Sequence, residues 1–232
     1  MKNGTLYGVG VGPGDPELMT LRAVRLIREN EVIALPGSDA KQTVAYQIAV
    51  QAVPELAEKT LLSVDMPMTH DKKEMQRGHE KAADIIGSYL EKNKNVVFLT
   101  LGDPAIYSTY LYVQKRIIDR GYHTELVSGI PSFCAAAARA NTSLAEWDEQ
   151  LHILPAVHRL DCDLSMPGNY ILMKSGRKMP QVKELLKASG KDVVMVENCG
   201  MADEHIYHSI GEIPDDAGYY SLIIAKETGR QI

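Results

Sequence analysis

Short apolar segments alternate with helical patterns through the first part of this chain, and this alternation limits the folds open to it. Strand-length runs stand at residues 6–10, 31–35, 60–64, 96–101 and 123–127. Helical spacing separates them, at residues 17–30, 43–53, 70–92 and 107–120. In the first helix the expected apolar face comprises Leu18, Leu21, Val24 and Ile27. Because strands joined through helices run in one direction, the pattern predicts a mostly parallel sheet with right-handed crossovers.

The pattern changes after residue 128. An Ala-rich helix at 132–140 precedes short runs at 151–154, 169–173, 193–197, 206–210 and 219–225, and one further helix is predicted at 180–189. Consecutive short strands with turn signals between them indicate a mixed, partly antiparallel sheet. We therefore expect two α/β domains, at residues 1–128 and 129–232.

Composition excludes several classes of protein. The chain has 232 residues, of which 45% are hydrophobic and 24% charged, which is typical of globular domains. No apolar run approaches the ~20 residues that span a bilayer, and no secretion signal precedes the first strand, so a cytoplasmic protein is expected. The net charge of −5 argues against nucleic-acid binding by phosphate neutralisation.

The cysteine and histidine patterns favour neither disulfides nor a metal site. Cys134, Cys162 and Cys199 are widely spaced and include no C-x-x-C motif. His205 and His208 have no third ligand nearby in sequence. No metal ion is expected.

The densest signal is a loop between the first strand and the first helix. Residues 8–16 read GVGVGPGDP. A dinucleotide fingerprint, G-x-G-x-x-G, fails in each register, because Pro13, Asp15 or Glu17 stands where the last glycine belongs. Pro13 also lacks an N–H and Asp15 adds negative charge, so the loop suits a ligand other than a phosphate.

Two further loops follow predicted strands. Residues 99–107 read LTLGDPAIY and residues 127–133 read VSGIPSF. Ligands bind at the carboxyl ends of the strands of an open parallel sheet, so Asp103 is placed as a free acceptor for an amine or a ribose hydroxyl. An equally good interpretation is that Asp103 caps a helix that begins at Pro104.

One window is strongly basic. Residues 174–191 hold six cationic side chains against a single acidic one, Glu184. A solvated helix face is the simpler interpretation, and an anchor for an acidic substrate is the functional one.

These segments together resemble the signatures of the tetrapyrrole (corrin/porphyrin) methylases. Residues 8–23, 101–104 and 128–132 match that family's motifs in the right order, as do ILMK at 171–174 and YYSLII at 219–224. Within the family, MPMTHD at 66–71 and ENCGM at 197–201 look most like the branch that methylates C20 of precorrin-2 or of its cobalt form, cobalt-factor II, in cobalamin biosynthesis. The cobalt form is preferred.

The resemblance implies a site as well as a fold. Members are two-domain chains, usually homodimers, that hold S-adenosylmethionine (SAM) in the cleft between the domains and release S-adenosylhomocysteine. Carried onto matching positions, the SAM contacts are expected to be Pro13, Leu101, Gly102, Asp103, Ile106, Ser132, Phe133, Met173, Asn198 and Ser221. The carboxylates of the tetrapyrrole would be met by Lys41, Arg77, Lys174 and Arg177. No catalytic base is identified.

Three alternatives stay open at this point. A methylase of the same fold could act on another precorrin, on uroporphyrinogen III, on RNA or on the diphthamide precursor. A nicotinamide-dependent oxidoreductase is disfavoured by the broken fingerprint. A non-catalytic module that binds SAM or a tetrapyrrole would share the same loops.

Overall fold

The computed structural model describes residues 3–67, 69, 71–155 and 164–228, except for the side chain of Arg177. The chain divides into two compact units, Met1–Pro131 and Ser132–Ile232. Within the described part of the chain, no helix is both long enough and apolar enough to cross a membrane.

The first unit is built on a five-stranded sheet in which every pair of neighbours is parallel. Its strands are β1 (Thr5–Gly10), β2 (Val32–Pro36), β3 (Thr60–Val64), β4 (Val96–Thr100) and β5 (His123–Val127). Their spatial order is β3-β2-β4-β1-β5. The predicted parallel sheet is confirmed. Since β1 lies between β4 and β5, the carboxyl ends of these three strands meet at one edge.

Helices cover both faces of this sheet. They are α1 (Leu21–Glu29), α2 (Val44–Ala52), α3 (Lys72–Leu90) and α4 (Tyr110–Asp119). Side chains alternate along β2, so that Ile33 and Leu35 join the core beneath α1 and α2. Val32 and Ala34 join the core beneath α3 and α4. The near-continuous apolar sequence of the central strands follows from burial on both faces.

Helix α1 begins later than the sequence pattern predicts. Residues Pro16–Leu18 form a 3-10 turn, and the side chain of Thr20 caps α1 by accepting from the backbone N–H of Ala23 at 3.2 Å. The buried face of α1 consists of Ala23, Leu26 and Ile27, whereas Leu21 is 90% exposed. The predicted apolar face is therefore wrong at Leu21, because at 3.6 residues per turn Leu21 lies on the side of α1 away from Ala23 and Leu26.

The second unit contains a mixed sheet. It comprises α5 (Ser132–Arg139), β6 (Leu151–Pro155), β7 (Asn169–Met173), α6 (Met179–Ser189), β8 (Asp192–Glu197), β9 (His205–Tyr207) and β10 (Ser221–Lys226). The spatial order is β6-β7-β10-β8-β9, with β6 parallel to β7 and all other pairs antiparallel. The predicted mixed sheet is confirmed. Because β10 runs antiparallel to both of its neighbours, its first residue lies beside the last residues of β7 and β8.

Candidate functional site

The loops after β1 and β4 are joined by backbone hydrogen bonds. The N–H of Gly102 donates to the carbonyl of Gly12 at 2.8 Å, and the N–H of Gly12 donates back to Gly102 at 3.3 Å. Both glycines have positive φ, 78° at Gly12 and 70° at Gly102, which other residues rarely adopt. The pair fixes the two loops in one register at the carboxyl edge of the sheet.

The loop after β5 packs directly against this pair. A Cβ built on Gly129 would lie 2.2 Å from the carbonyl oxygen of Gly102, and one on Gly10 would lie 2.4 Å from the same atom. No side chain fits at either position, so three backbone segments touch without side chains between them. The three loops form a rigid floor whose atoms are mostly backbone.

Asp103 holds two of these loops together. Its Oδ1 accepts from the N–H of Ala105 at 2.8 Å, and its Oδ2 accepts from the N–H of Gly129 at 3.0 Å. The expectation that its carboxylate is a free acceptor is wrong, because each oxygen already has a backbone partner. It does not cap α4 either, since that helix begins at Tyr110. Asp103 closes the turn after β4 and ties it to the loop after β5.

Two buried hydroxyl groups in hydrogen-bond contact stabilise the loop after β4. The hydroxyls of Thr100 and Ser108 lie 2.9 Å apart, and Ser108 also accepts from the N–H of Tyr110 at 3.2 Å. The ring of Tyr110 fills the space beside Gly8, where a Cβ would approach it to 2.3 Å. Burial raises the pKa of Tyr110, so its phenol stays neutral.

The charge of these loops favours a cationic ligand. Segments 8–20, 99–109 and 127–131 contain three carboxylates, at Asp15, Glu17 and Asp103, and neither lysine nor arginine. A diphosphate would meet negative charge with no compensating cation, whereas a sulfonium would not be repelled. Within the described residues, no group of three His, Cys, Asp or Glu side chains is arranged to hold a metal ion.

The predicted residues of the first unit lie together at this floor. Pro13 and Gly102 are buried in the paired loops, and Leu101, Asp103 and Ile106 are half-buried in the segment that follows β4. At the start of α5 in the second unit, Phe133 is buried and Ser132 is half-buried.

Three predicted residues gather at one edge of the second sheet. Met173 ends β7, Ser221 begins β10 opposite Glu197 of β8, and Asn198 follows directly. The N–H of Asn198 donates to the carbonyl of Tyr220 at 3.2 Å, and its side-chain amide donates to Asp203 at 2.7 Å. The hydroxyl of Ser221 donates to the carbonyl of Gly218 at 2.7 Å.

The candidate substrate anchors belong to both units, Lys41 and Arg77 to the first and Lys174 and Arg177 to the second. Lys41 is exposed in a 3-10 turn after β2, and Arg77 is exposed on α3. Lys174 follows β7 with a positive φ of 62°. The side chain of Arg177 lies outside the described residues.

The basic window is largely engaged in ion pairs. Lys183 contacts Asp215 at 2.7 Å, Lys187 contacts Glu184 at 2.7 Å, and Lys191 contacts Glu227 at 2.9 Å. Lys187 lies on a solvated face, whereas the side chains of Lys183 and Lys191 are only 16% and 7% exposed, so a structural role accounts for the charge of these two.

Sequence reasoning missed two features. The contact between Gly10 and Gly129 joins loops far apart in the chain, and no local signal gives their pairing. Tyr219 and Tyr220 are exposed by 44% and 39% at the start of β10. The sequence signal that could have identified this exposed pair is two adjacent tyrosines between Gly218 and an apolar strand.

Fold and site together define an α/β protein whose first sheet presents a backbone-lined, acidic floor without a phosphate-binding loop. Comparison with known proteins identifies the family within this class. The model of the family described as Tetrapyrrole (Corrin/Porphyrin) Methylases matches residues 5–214. The chain belongs to this family of methyltransferases, and the family predicted from the loop motifs is confirmed.

Named relatives extend over the whole chain. It is 33% identical to a probable cobalt-precorrin-2 C(20)-methyltransferase of Methanocaldococcus jannaschii, with 97% of each chain covered. It is 28% identical to the cobalt-precorrin-2 C(20)-methyltransferase of Salmonella typhimurium, again with 97% of each covered.

Solved structures share the fold. A cobalt precorrin-4 methyltransferase superposes with a TM-score of 0.72 at 22% identity, covering 96% of this chain and 94% of that one. The uroporphyrin-III C-methyl transferase of Thermus thermophilus, in complex with S-adenyl homocysteine, gives 0.69 at 20% identity, with 97% and 98% covered.

Proposed function

We propose that this protein transfers the methyl group of SAM to C20 of cobalt-factor II or precorrin-2, in cobalamin biosynthesis. The relatives named for this reaction match nearly the whole chain. The observation that carries the proposal is the floor formed by the loops after β1, β4 and β5, which is acidic, lined by backbone and without a cation.

The residues present fit SAM. Pro13, Leu101, Gly102, Asp103 and Ile106 of the first unit would contact the cofactor where the two paired glycines let backbone approach a ligand closely. Ser132, Phe133, Met173, Asn198 and Ser221 would supply the contacts from the second unit. The bound cofactor supplies an electrophilic methyl group on a positively charged sulfur.

The chain's own residues would act mainly by alignment. The hydrogen bonds from Ala105 and Gly129 hold Asp103 in place, so the loops need not reorganise when a ligand arrives. Fixed geometry and exclusion of water are sufficient for an in-line displacement at a reactive methyl group. Lys41, Arg77, Lys174 and Arg177 are the proposed partners of the carboxylates on the macrocycle rim.

Calorimetry and an anaerobic assay test the proposal. We expect heat of binding with SAM and S-adenosylhomocysteine and none with NADH. With SAM present, precorrin-2 or its cobalt form should yield S-adenosylhomocysteine, a released proton and a product in which a methyl group replaces the hydrogen of C20. The product mass should rise by one CH₂, and NMR locates the methylated carbon. Binding of NADH without SAM, or a methyl group at another carbon, contradicts the proposal.

Two finer points belong to the same proposal. A homodimer is expected by analogy with the family, and sedimentation analysis tests it. A cytoplasmic location and failure to bind RNA are also expected, the latter because the net charge is −5.

A further inference from the structure

The edge of the second sheet carries an exposed aromatic pair beside a lysine. Tyr219 and Tyr220 pack edge to face, with ring centroids 5.3 Å apart. The ammonium of Lys174 lies 6.0 Å from the centroid of the Tyr219 ring. Both rings are exposed just before the central strand β10, so packing in the core of this unit does not explain why aromatic residues stand there.

The backbone beneath these side chains is held rigidly. A Cβ on Gly176 would lie 2.3 Å from the carbonyl oxygen of Gly218, so the loop after β7 packs against the loop before β10 without a side chain between them. Glu197 accepts from the N–H of Gly218, and the hydroxyl of Ser221 donates to the carbonyl of Gly218. The aromatic pair therefore stands on a fixed support.

Two residues beside the pair adopt a conformation that non-glycine residues rarely take. Lys174 has φ of 62° and Asn198 has φ of 52°, and they lie on opposite sides of the first residues of β10. The fully buried hydroxyl of Ser175, next to Lys174, has no hydrogen-bond partner among the described residues. Strain and an unpaired buried group at one edge are typical of functional sites.

Charge decides which ligand this edge fits. The ammonium of Lys174 favours an anion over the Tyr219 ring. The carboxylates of this edge, Glu197 and Asp203, accept from Gly218 and from the side chain of Asn198. The SAM contacts proposed at Met173, Asn198 and Ser221 would be made with uncharged parts of the cofactor. Burial, and to a lesser extent the neighbouring Tyr219, raise the pKa of Tyr220, so its phenol stays neutral and does not repel carboxylates. A flat conjugated ring with a carboxylate rim matches both the aromatic faces and the ammonium.

We infer that Tyr219, with Lys174 beside it, forms a platform for the tetrapyrrole, in which the Tyr219 ring stacks on the macrocycle and Lys174 pairs with a rim carboxylate. The inference rests on the proposed function and adds Tyr219 as a substrate-positioning residue. Contacts that form equally in ground state and transition state raise KM when removed and leave kcat unchanged.

The test compares Tyr219→Ala and Tyr219→Phe with wild type. We expect Tyr219→Ala to raise the KM for precorrin-2 at least about fivefold, in the range of stacking on an aromatic side chain. The KM for SAM and kcat should not change, and Tyr219→Phe should behave as wild type because the ring remains. Trp147→Ala, which removes a 97% exposed aromatic side chain of the same unit, is the matched control.

The dependence of tetrapyrrole binding on ionic strength distinguishes the contribution of Lys174 from that of Tyr219. Added salt should weaken tetrapyrrole binding to wild type and to Tyr219→Ala by the same factor, and weaken binding to Lys174→Ala less, because the contact with Lys174 is electrostatic and the contact with the Tyr219 ring is not. Lys174→Ala should weaken tetrapyrrole binding more than SAM binding.

Absorbance titration with the tetrapyrrole keeps the two proposals distinguishable. If wild type binds precorrin-2 without forming product, the proposed function fails, and the platform is judged on dissociation constants alone. An unchanged dissociation constant in Tyr219→Ala, or an equal loss of SAM affinity, overturns the platform. Wild type that binds no tetrapyrrole overturns both.

Discussion

At the scale of single residues, Gly129 has no space for a side chain. A methyl group there would lie 2.2 Å from the carbonyl oxygen of Gly102, which is backbone and is held by its own hydrogen bond. We expect Gly129→Ala to lower the free energy of unfolding by about 1–3 kcal/mol, the usual range for overpacking, and to weaken SAM binding. Urea unfolding and calorimetry measure the two effects.

Gly87 of α3 provides the control for that substitution. A Cβ at Gly87 would meet only the guanidinium of Arg120, at an ordinary 3.5 Å. Since alanine favours helix over glycine, Gly87→Ala should raise stability by about 0.5–1 kcal/mol and leave SAM binding unchanged. Equal effects of the two substitutions would contradict the account of the loop packing.

Asp103 illustrates how far single residues can be interpreted from the sequence. Its position after the strongest predicted strand placed it correctly at the carboxyl edge. Its partners could not be predicted, because the N–H of Gly129 is 26 residues away and reaches it only once β5 lies beside β1. Residue type and strand order thus located the site, while tertiary pairing determined what each atom does.

At the scale of elements, Asp103 connects the segment after β4 to the segment after β5. Asparagine keeps one acceptor oxygen and sets an N–H₂ group against one of the two backbone donors. We expect Asp103→Asn to cost about 1–3 kcal/mol of unfolding free energy, because a donor is left unpaired, and to weaken SAM binding. The unfolding midpoint in urea and a SAM titration measure these changes.

Asp39→Asn is the matched change at a simpler cap. Asp39 accepts from one backbone donor, the N–H of Lys41, at 3.0 Å, and an amide oxygen can replace that contact. A loss of stability in Asp39→Asn as large as in Asp103→Asn would show that the double contact of Asp103 is not what holds the loops.

The packing of α3 against α4 buries a histidine whose charge affects stability. His79 is 4% exposed and stacks on Tyr112 with centroids 4.7 Å apart. Burial, and secondarily the nearby Arg116, lower the pKa of His79 below its usual 6.5. The unfolded chain therefore binds a proton at His79 more readily than the native chain does. The contribution of neutral His79 to the free energy of unfolding is fully present above pH 6.5 and is lost as the pH falls below it.

Substitution of His79 tests this dependence. Urea unfolding between about pH 5 and 8 should give a smaller decrease of stability with acidification in His79→Gln than in wild type. His123→Gln, at an exposed position, is the matched substitution with which the slope of His79→Gln is compared. The comparison is between slopes, since loss of the stack on Tyr112 lowers the stability of His79→Gln at every pH. Parallel curves for wild type and His79→Gln would refute the assignment.

The sequence predicted whether a segment is a strand or a helix more accurately than it predicted the residue at which that element begins. Apolar runs gave β1 to β5 within about a residue or two. For β2 and β4 the reason is burial on both faces, which makes nearly every residue apolar, whereas the edge strands β3 and β5 are partly exposed. Helices α1 and α4 begin at Leu21 and Tyr110, later than predicted, since the preceding loops take caps and turns instead of helical bonds. Hydrophobic spacing does not detect such caps when the loop itself contains apolar residues.

At the scale of the whole molecule, each unit brings glycine-packed loops to one edge of its sheet. In the first unit these loops carry carboxylates and no cation, and in the second the corresponding edge carries Lys174 beside two tyrosines. Lys174 thus favours an anion over the Tyr219 ring, whereas the loops of the first unit favour a cation. This division matches the proposed reaction, which joins a cationic donor to a polyanionic acceptor.

Net charge adds a long-range effect that acts oppositely on the two ligands. The protein carries −5, so it attracts SAM, which has one net positive charge, and repels the carboxylate-rich tetrapyrrole. Raising the salt concentration past about 0.1 M shortens the screening length to about 10 Å. We therefore expect added salt to slow the association of SAM and to speed that of precorrin-2. The dissociation rate constant of precorrin-2 should rise by a larger factor, because salt also screens the contact with Lys174, so that its binding still weakens. Stopped-flow traces for each ligand over a series of potassium chloride concentrations measure both rate constants. Lys174→Ala makes the protein more negative and should steepen the increase for precorrin-2, whereas rate constants that change in the same direction for both ligands would contradict a role for the overall charge.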